Sequence, residues 1–171
     1  MKLRNLLLAT ALLASGAAAS EFTGYKGLTK QLKGEAKKDG NYATTDDVKK
    51  ALASKDWAVV DVRTMEEWQA ARIEGSTRIG RQNPEKALDG VVLDDEGKFI
   101  KPNIIVVCNT ASRASIEAET FRKMGFKKVM IYDLVSWIDE CNPVTNLYSS
   151  HKDKHGTKNK FGQFKAEHCS K

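Results

Sequence analysis

The sequence contains little of the material from which fibrous, disordered or disulfide-dense proteins are built. Its 171 residues include only 3 prolines, 3 cysteines and 12 glycines. This composition excludes a collagen-like repeat, a proline-rich disordered chain and a small scaffold held together by disulfides. Hydrophobic residues make up 41% of the chain, which suits one globular domain with short extensions rather than two full domains.

Long hydrophobic runs are also missing. The apolar run over residues 6–14 is too short to span a bilayer. It follows Lys2 and Arg4, and small residues follow it up to Ala19. A basic start, a short apolar segment and an Ala-x-Ala end are typical of a secretory signal peptide, so we expect cleavage of residues 1–19. The protein is then expected to be periplasmic or secreted.

The body of the chain lacks an excess of either charge. The formal net charge is +6, but two of the 28 basic residues lie in the predicted signal peptide. Residues 151–171 carry six lysines against two acidic residues, so residues 20–150 contain 20 basic and 20 acidic residues. The positive charge therefore belongs to a basic polar tail, residues 146–171, and nucleic acid is not an expected partner.

Apolar periodicity predicts alternating strands and helices within residues 43–145. Continuous apolar runs predict buried strands at residues 57–62, 104–107 and 129–132, and a helical spacing predicts a helix from Ser112 to Gly125. This alternation indicates an α/β fold with a central, mostly parallel sheet flanked by helices.

The remaining segments have weaker patterns. Residues 20–42 are predicted to form an N-terminal helical extension, and residues 84–88 a short helix. Two apolar arms around an acidic turn predict a hairpin over residues 91–100. Beyond Pro143 the polar, lysine-rich composition predicts a loosely ordered tail.

The strongest candidate for a chemical site is the segment IIVVCNTASRA, which ends at Ala114. A buried strand ends at Cys108, a short polar loop follows, and a helix then begins. This order places the sulfur at the carboxyl edge of a parallel sheet, where α/β proteins bind ligands. Loop amides and the helix N-terminus would stabilise a thiolate and attract an anion, with Arg113 as a fixed cation. A buried structural cysteine is the alternative interpretation.

The length of this loop discriminates between known cysteine chemistries. Tyrosine and dual-specificity phosphatases, and one class of arsenate reductases, place five residues between the cysteine and the arginine. Here four residues separate Cys108 from Arg113, and they are the predicted substrate-binding loop: Asn109, Thr110, Ala111 and Ser112. The shorter loop resembles that of the rhodanese family.

Further motifs extend the resemblance to the rhodanese family over about 100 residues. They are VVDVRTMEEW, RIEGSTRIG, FRKMGFKKVMIYD and a late tryptophan, Trp137. The loop is most similar to that of periplasmic polysulfide–sulfur transferases. The chain departs from the family pattern at Arg72 and Glu74, where the family has His and Pro, and at Ala111, where it has Gly; a Gly-Gly pair before Trp137 is also absent.

The resemblance implies a sulfurtransferase. Cys108 would take a sulfane sulfur from an anionic donor, with polysulfide favoured and thiosulfate a second choice, and would pass it from a persulfide to a nucleophile. No metal or organic cofactor is implied. The expected partners are small anionic sulfur compounds and an acceptor, either a thiol or a membrane reductase. A homodimer is left open as the assembly.

Other basic residues are candidates for the mouth of this site. Arg63, at the end of a predicted strand, either faces the cleft or pairs with Glu66 or Glu67. The remaining candidates lie on the next predicted loop, and the alternative for each is a solvated charge: Arg72, Arg78 and Arg81.

Two further cysteines lie near the end of the chain. Cys141 and Cys169 are candidates for a disulfide that ties the tail to the domain, with a relay thiol at Cys169 as the alternative. The tail histidines match no defined metal-site spacing, so no metal ligand is assigned.

Two other function classes are compatible with these residues. One is a sulfur carrier that delivers polysulfide to a membrane reductase with little turnover. The other is a thiol-exchange protein that uses Cys108 with Cys169, which the lack of a Cys-x-x-Cys motif disfavours.

Overall fold

A computed structural model of the chain describes residues 23–147 and 162–170. The predicted signal peptide over residues 1–19 and most of the tail lie outside these residues. The helices are α1 (Gly24–Lys38), α2 (Thr45–Ala53), α3 (Met65–Ala70), α4 (Pro84–Val92), α5 (Ser112–Lys123) and α6 (Leu134–Asp139). The strands are β1 (Trp57–Asp61), β2 (Thr77–Arg78), β3 (Asn103–Cys108), β4 (Lys128–Asp133), β5 (Val144–Asn146) and β6 (Gly162–Phe164), and a 3-10 helix spans Glu167–Ser170.

The central sheet of the described residues has the order β2-β1-β3-β4, and every pair in it is parallel. β3 lies in the interior with β1 and β4 on its two sides, as expected for the apolar run IIVV. The α/β fold with a parallel sheet between helices is thus confirmed. The carboxyl ends of all four strands lie at one edge.

Helices cover both faces of this sheet because the strand side chains alternate between them. On one face, Ile104 and Val106 pack with apolar residues of α4 and α5 such as Leu88 and Phe121. On the other face, Ile105 and Val107 pack with residues of α2 and α6. Cys108 belongs to the first face, so its sulfur lies on the side of the sheet that α5 covers.

Helix starts follow the capping residues of the sequence. The Thr44 hydroxyl accepts a hydrogen bond from the Asp47 amide, and the Asp47 carboxylate accepts one from the Thr44 amide, which forms a capping box at α2. Thr64 and Glu67 form the same box at α3. The two capping boxes fix where α2 and α3 begin. Thr64 and Glu67, which form the second box, also belong to the site described below.

The hairpin predicted over residues 91–100 forms only around its turn. Its first arm begins inside α4, and the antiparallel pairing is one bridge between Leu93 and Phe99, with hydrogen bonds from the Asp94 amide to Lys98 O and from the Ile100 amide to Val92 O. Leu88 and Val92 are both fully buried and lie four residues apart, so they share one helical face. Burial of that face extends the helix past the predicted end at residue 88.

The prediction of a loosely ordered tail does not hold for residues 162–170. Strand β6 pairs antiparallel with β5, and a disulfide joins Cys141 to Cys169, 28 residues apart in sequence. β5 also contacts the domain through a bridge between Thr145 and Arg72. The end of the chain is therefore tied back onto the segment after α6. None of the helices in the described ranges has the length and apolar composition of a membrane span.

Candidate active site

The carboxyl edge of the sheet collects polar and charged residues from all four strands. Asp61 ends β1 opposite Arg78 of β2, and Cys108 ends β3 opposite Asp133 of β4. This is the edge predicted to hold the site. The register of the parallel strands pairs residues that are up to 46 positions apart in sequence, such as Asp61 and Val107.

Cys108 is buried, with 1% of its surface exposed, and it is the free cysteine of the described residues. The backbone N–H of Ala114, in the first turn of α5, donates to the Cys108 Sγ at 3.5 Å. A helix N-terminus directed at the sulfur favours negative charge there, because its free amides and the helix dipole both face the sulfur. The arrangement predicted from the sequence, a strand end, a loop and a helix start around Cys108, is present.

The loop reaches α5 through a left-handed residue. Ala111 has φ 58° and ψ 2°, is fully buried, and is the residue from which α5 begins. A Cβ is disfavoured in this conformation by roughly 1–2 kcal/mol, which is why glycine is the usual residue for it. The departure at Ala111 therefore leaves the backbone turn in place and stores strain in it.

Asn109 connects the loop to two charged residues. Its side-chain oxygen accepts a hydrogen bond from Arg63 Nη1 at 3.0 Å, and its amide nitrogen donates to Glu67 Oε1 at 2.8 Å. Its backbone oxygen accepts from the Val135 amide at 3.3 Å. Asn109 is thus held by α3, α6 and the end of β1, and in this arrangement it fixes the loop.

Glu67 is the residue that holds the arginine of the loop. Its two carboxylate oxygens accept hydrogen bonds from Arg113 Nη1 and Nη2 at 2.6 and 2.7 Å. One of these oxygens also accepts from the Thr64 amide, in the capping box of α3. The Arg113 hydrogen bonds, with help from the Thr64 amide, lower the pKa of Glu67 from 4.5 to about 2.

Arg113 lies in the first turn of α5, close to Cys108. Its pair with Glu67 raises the pKa of the guanidinium above its ordinary value, and a weaker contribution comes from the Cys108 sulfur. The guanidinium is therefore a permanent positive charge beside the sulfur. Because two of its nitrogens already face Glu67, it supplies positive charge and a fixed position more than free donors for an anion.

Arg63 forms an ion pair other than the predicted one. It is 2% exposed, and its ion-pair partner is Asp61 at 2.8 Å rather than Glu66 or Glu67. Its remaining donors reach Ala71 O at 2.6 Å and Asn109 at 3.0 Å. With these donors engaged, Arg63 supports the loop through Asn109, and it also lines a cavity of about 390 Å³ with Glu67 and Asn109, as predicted for a residue that faces the cleft. The sequence predicted Glu66 or Glu67 because they lie three and four residues after Arg63. The partner in the structure, Asp61, is the last residue of β1.

Arg78 and Arg81 line a cleft of about 570 Å³ with Thr64 and the first turn of α3, which includes Glu66. Arg78 Nε also donates to the Arg63 carbonyl oxygen at 3.1 Å. Cys108 is not among the lining residues of this cleft. The two arginines therefore form a basic cleft at the same edge of the sheet, whereas Arg72 stacks on Trp68 at 4.2 Å and pairs with Glu74.

Two residues of the site come from the segment before β1 and were missed by sequence reasoning. Lys33 of α1 donates to the Thr110 carbonyl oxygen at 3.4 Å and to Ser112 Oγ at 3.3 Å. Tyr42 donates to Asp133 at 3.0 Å. Burial, together with the nearby Asp133 carboxylate, raises the pKa of the Tyr42 phenol above its ordinary value. The lysine spacing in α1 was a usable signal, but these contacts are long-range and depend on how α1 packs.

One cluster of the described residues has the donor atoms of a metal site. Cys141, His168 and Cys169 bring their ligand atoms within 4.8 Å of one another. Both sulfurs are bonded to each other in the disulfide, however, so in this state they do not offer thiolates to a metal. The same bond engages Cys169, which leaves it unable to act as a relay thiol for Cys108 unless the disulfide is reduced.

Comparison with known sequences gives a family match and a curated relative. The family model described as the rhodanese-like domain matches residues 44–135. YrkF of Bacillus subtilis (strain 168), named as a candidate sulfur carrier protein, is 33% identical over 72 residues. That match covers 42% of the chain and 35% of YrkF, so the chain matches about a third of the length of this relative.

Solved structures give similar folds. The solution structure of the 30 kDa polysulfide-sulfur transferase homodimer from Wolinella succinogenes has a TM-score of 0.56 and 27% identity, covering 75% of this chain and 93% of that one. A thiosulfate sulfurtransferase from Pseudomonas aeruginosa has a TM-score of 0.54 and 14% identity, covering 62% and 19%, and this likeness concerns the fold alone. Because the family model spans more than half of the chain and includes the whole Cys108 loop, the chain belongs to the rhodanese-like domain family.

Proposed function

We propose that this protein is a sulfurtransferase in which Cys108 carries a sulfane sulfur as a persulfide. The observation that carries the proposal is the position of the Cys108 sulfur at the end of β3, with the Ala114 amide directed at it and Arg113 beside it. A sulfur in that position is stabilised as an anion, and so is the outer sulfur of a persulfide formed on it.

The transfer takes place in two displacements. The Cys108 thiolate attacks the outer sulfane sulfur of a polysulfide dianion, and an S–S bond forms between Sγ and that sulfur. The bond from that sulfur to the rest of the chain breaks, and the shortened polysulfide dianion leaves with the electron pair. A thiolate or cyanide acceptor then attacks the outer sulfur of the persulfide, and Cys108 leaves again as the thiolate.

Polysulfide is the favoured donor. The Wolinella succinogenes protein, which this chain matches at 27% identity over 93% of that protein's length, is named as a polysulfide-sulfur transferase. The basic cleft at Arg78 and Arg81 adds positive charge at the carboxyl edge, which raises the local concentration of an anionic donor. Thiosulfate carries a bulky sulfonate that needs donors of its own, so we propose it as the poorer substrate.

Mass spectrometry after incubation with polysulfide tests the assignment of Cys108. The native protein is expected to gain about 32 Da for one added sulfur, and Cys108→Ser is expected to gain nothing and to lose sulfur transfer to cyanide. Arg81→Gln, in the cleft rather than the loop, is the control and should keep the adduct. A Cys108→Ser protein that still transfers sulfur near the native rate would refute the proposal.

A sulfur carrier with little turnover is the second candidate. The name of YrkF favours it, since the match to YrkF lies within the same domain. The two functions differ in kinetics. With cyanide as the acceptor, a carrier loads one sulfur per chain in a burst and shows no steady turnover afterwards. Steady turnover after the burst supports the transferase.

We also propose an exported location, supported by the signal-like composition of residues 1–19. The acceptor would then be a thiol or a membrane reductase, and the homodimer named for the Wolinella succinogenes protein makes a dimer the assembly to test. Mass spectra of exported protein test the cleavage that this location implies: a chain that begins near Ser20 supports cleavage, and a chain that retains Met1 contradicts it and indicates an anchor instead.

A further inference from the structure

Helix α1 carries a row of lysines beside the active-site loop. Lys26, Lys30, Lys33 and Lys37 follow each other at spacings of four, three and four residues, which puts them on one helical face. All four line a groove of about 520 Å³, and Ser112 of the active-site loop lines it as well. We call this feature the α1 lysine groove. It joins the loop that begins next to Cys108.

The charges of this groove are not neutralised within the described residues. No carboxylate among residues 23–147 and 162–170 lies within ion-pair distance of the four lysines. The acidic residue of α1, Glu35, accepts instead from Gln31 at 2.9 Å. Like charges four residues apart destabilise a helix by a few tenths of a kcal/mol per pair. An anion in the groove would reverse this repulsion.

Two of the lysines connect the groove to the surroundings of Cys108. Lys33 Nζ donates to the Thr110 carbonyl oxygen and to Ser112 Oγ, at 3.4 and 3.3 Å. Lys37 Nζ lies 5.0 Å from the centre of the Tyr42 ring, and Tyr42 donates to Asp133, which is opposite Cys108 in the sheet. The groove is thus continuous with the loop that the donor has to reach.

We propose that the α1 lysine groove binds the distal end of a linear polysulfide dianion while the near end reacts at Cys108. This inference rests on the proposed sulfur transfer. A polysulfide carries a negative charge at each end, so a long chain satisfies the loop amides and the lysines together. A compact anion such as thiosulfate reaches only one of these two regions. The groove therefore makes the enzyme selective for long donors.

Steady-state kinetics with two donors test the groove. In Lys26→Gln/Lys30→Gln at low ionic strength, the KM for tetrasulfide should rise about fivefold or more with little change in kcat, since these two lysines line the groove without the loop contacts that Lys33 makes. The KM for thiosulfate should change less than about twofold. Lys38→Gln is the matched control, because Lys38 lies on α1 but outside the groove lining. Equal effects on both donors, or none on either, would overturn the proposal.

A second measurement separates this proposal from the proposed function. Tripolyphosphate is a linear polyanion that transfers no sulfur, and its binding to the Cys108→Ser protein can be followed by calorimetry. The Kd should weaken about fivefold or more in the lysine double variant and stay unchanged in Lys38→Gln. If no persulfide forms but this dependence holds, sulfur transfer fails and the groove stands. If persulfide forms and the double variant binds tripolyphosphate and uses tetrasulfide like the native protein, the groove is refuted, and a docking face for an acidic protein replaces it.

Discussion

At the scale of single residues, one carboxylate organises the arginine beside the reactive cysteine. Glu67 accepts two hydrogen bonds from Arg113, one from Asn109 and one from the Thr64 amide. It therefore links the first turn of α3 to the loop after β3. Because Glu67 is 30% exposed on its side chain, solvent screens the pair only in part.

Glu67→Gln isolates the charge of this residue from its geometry. Glutamine still completes a capping box, so α3 should remain intact. Loss of the charge-assisted bonds to Arg113 should lower the free energy of unfolding at pH 7 by about 2 kcal/mol. Urea denaturation measures this change, and Glu96→Gln, an exposed glutamate away from the site, is the control for the change of net charge.

The same pair gives the protein a defined sensitivity to acid. The pKa of Glu67 falls from 4.5 to about 2 on folding, so its stabilisation is complete above pH 4.5 and is lost as the pH falls towards 2. Native protein should therefore lose more stability than Glu67→Gln over this range. Equal acid sensitivity of the two proteins would show that Glu67 is not the linked group.

At the scale of elements, the turn from β3 into α5 depends on Ala111 in the left-handed region. Its carbonyl accepts the first hydrogen bond of α5, from the Ser115 amide at 2.8 Å. The turn aims the helix N-terminus at Cys108, so a strained backbone and a favourable electrostatic position are produced by the same residue.

Ala111→Gly should change the stability far less than glycine elsewhere in α5. Release of the left-handed strain, roughly 1–2 kcal/mol, offsets the entropic cost of glycine, about 0.5–1 kcal/mol, and the loss of a buried methyl group, about 0.8 kcal/mol, so the net change should lie within about 1 kcal/mol of zero. Ala118→Gly in the middle of α5 is the matched control, because Ala118 is also fully buried, and it should cost at least about 1 kcal/mol. Thermal unfolding of both variants measures the contrast, and an Ala111→Gly protein as destabilised as Ala118→Gly would contradict the strain.

At the scale of the whole molecule, the disulfide joins the end of the chain to the segment after α6. Cys169 lies in the 3-10 helix, and Cys141 follows α6 with φ 62°. Between them, β6 pairs with β5, which in turn bridges to Arg72. Residues 162–170 are thereby held against the segment after α6, and Cys108 is the free thiol of the described residues.

Cys141→Ser/Cys169→Ser should destabilise the protein by about 3 kcal/mol, because the cross-link no longer restricts the unfolded chain. Sulfur transfer at 25 °C should stay near the native rate, since Cys108 is separate from this bond. Denaturation curves and cyanide assays measure the two effects, and thiol titration of unreduced native protein should find one free thiol. A strong loss of transfer with intact stability would return Cys169 to the mechanism.

Much of this molecule follows from local sequence. The run IIVV and the spacing of apolar residues after Ser112 predicted β3, α5 and the parallel sheet, because burial on both faces and a helical period are local patterns. The same segment predicted Cys108, its four-residue loop and Arg113. The observed strand end, loop and helix start have this arrangement.

Tertiary structure decided which groups face one another. Asp61 rather than a helical glutamate pairs with Arg63, Glu67 holds Arg113, and Lys33 reaches the loop from 77 residues away. Helix α4 is longer than predicted and includes the start of the predicted hairpin, because Leu88 and Val92 bury one face of α4 against the sheet. Periodicity records which side of an element is apolar, but a charged group takes the partner that burial leaves within reach, and that depends on the packing of the whole chain.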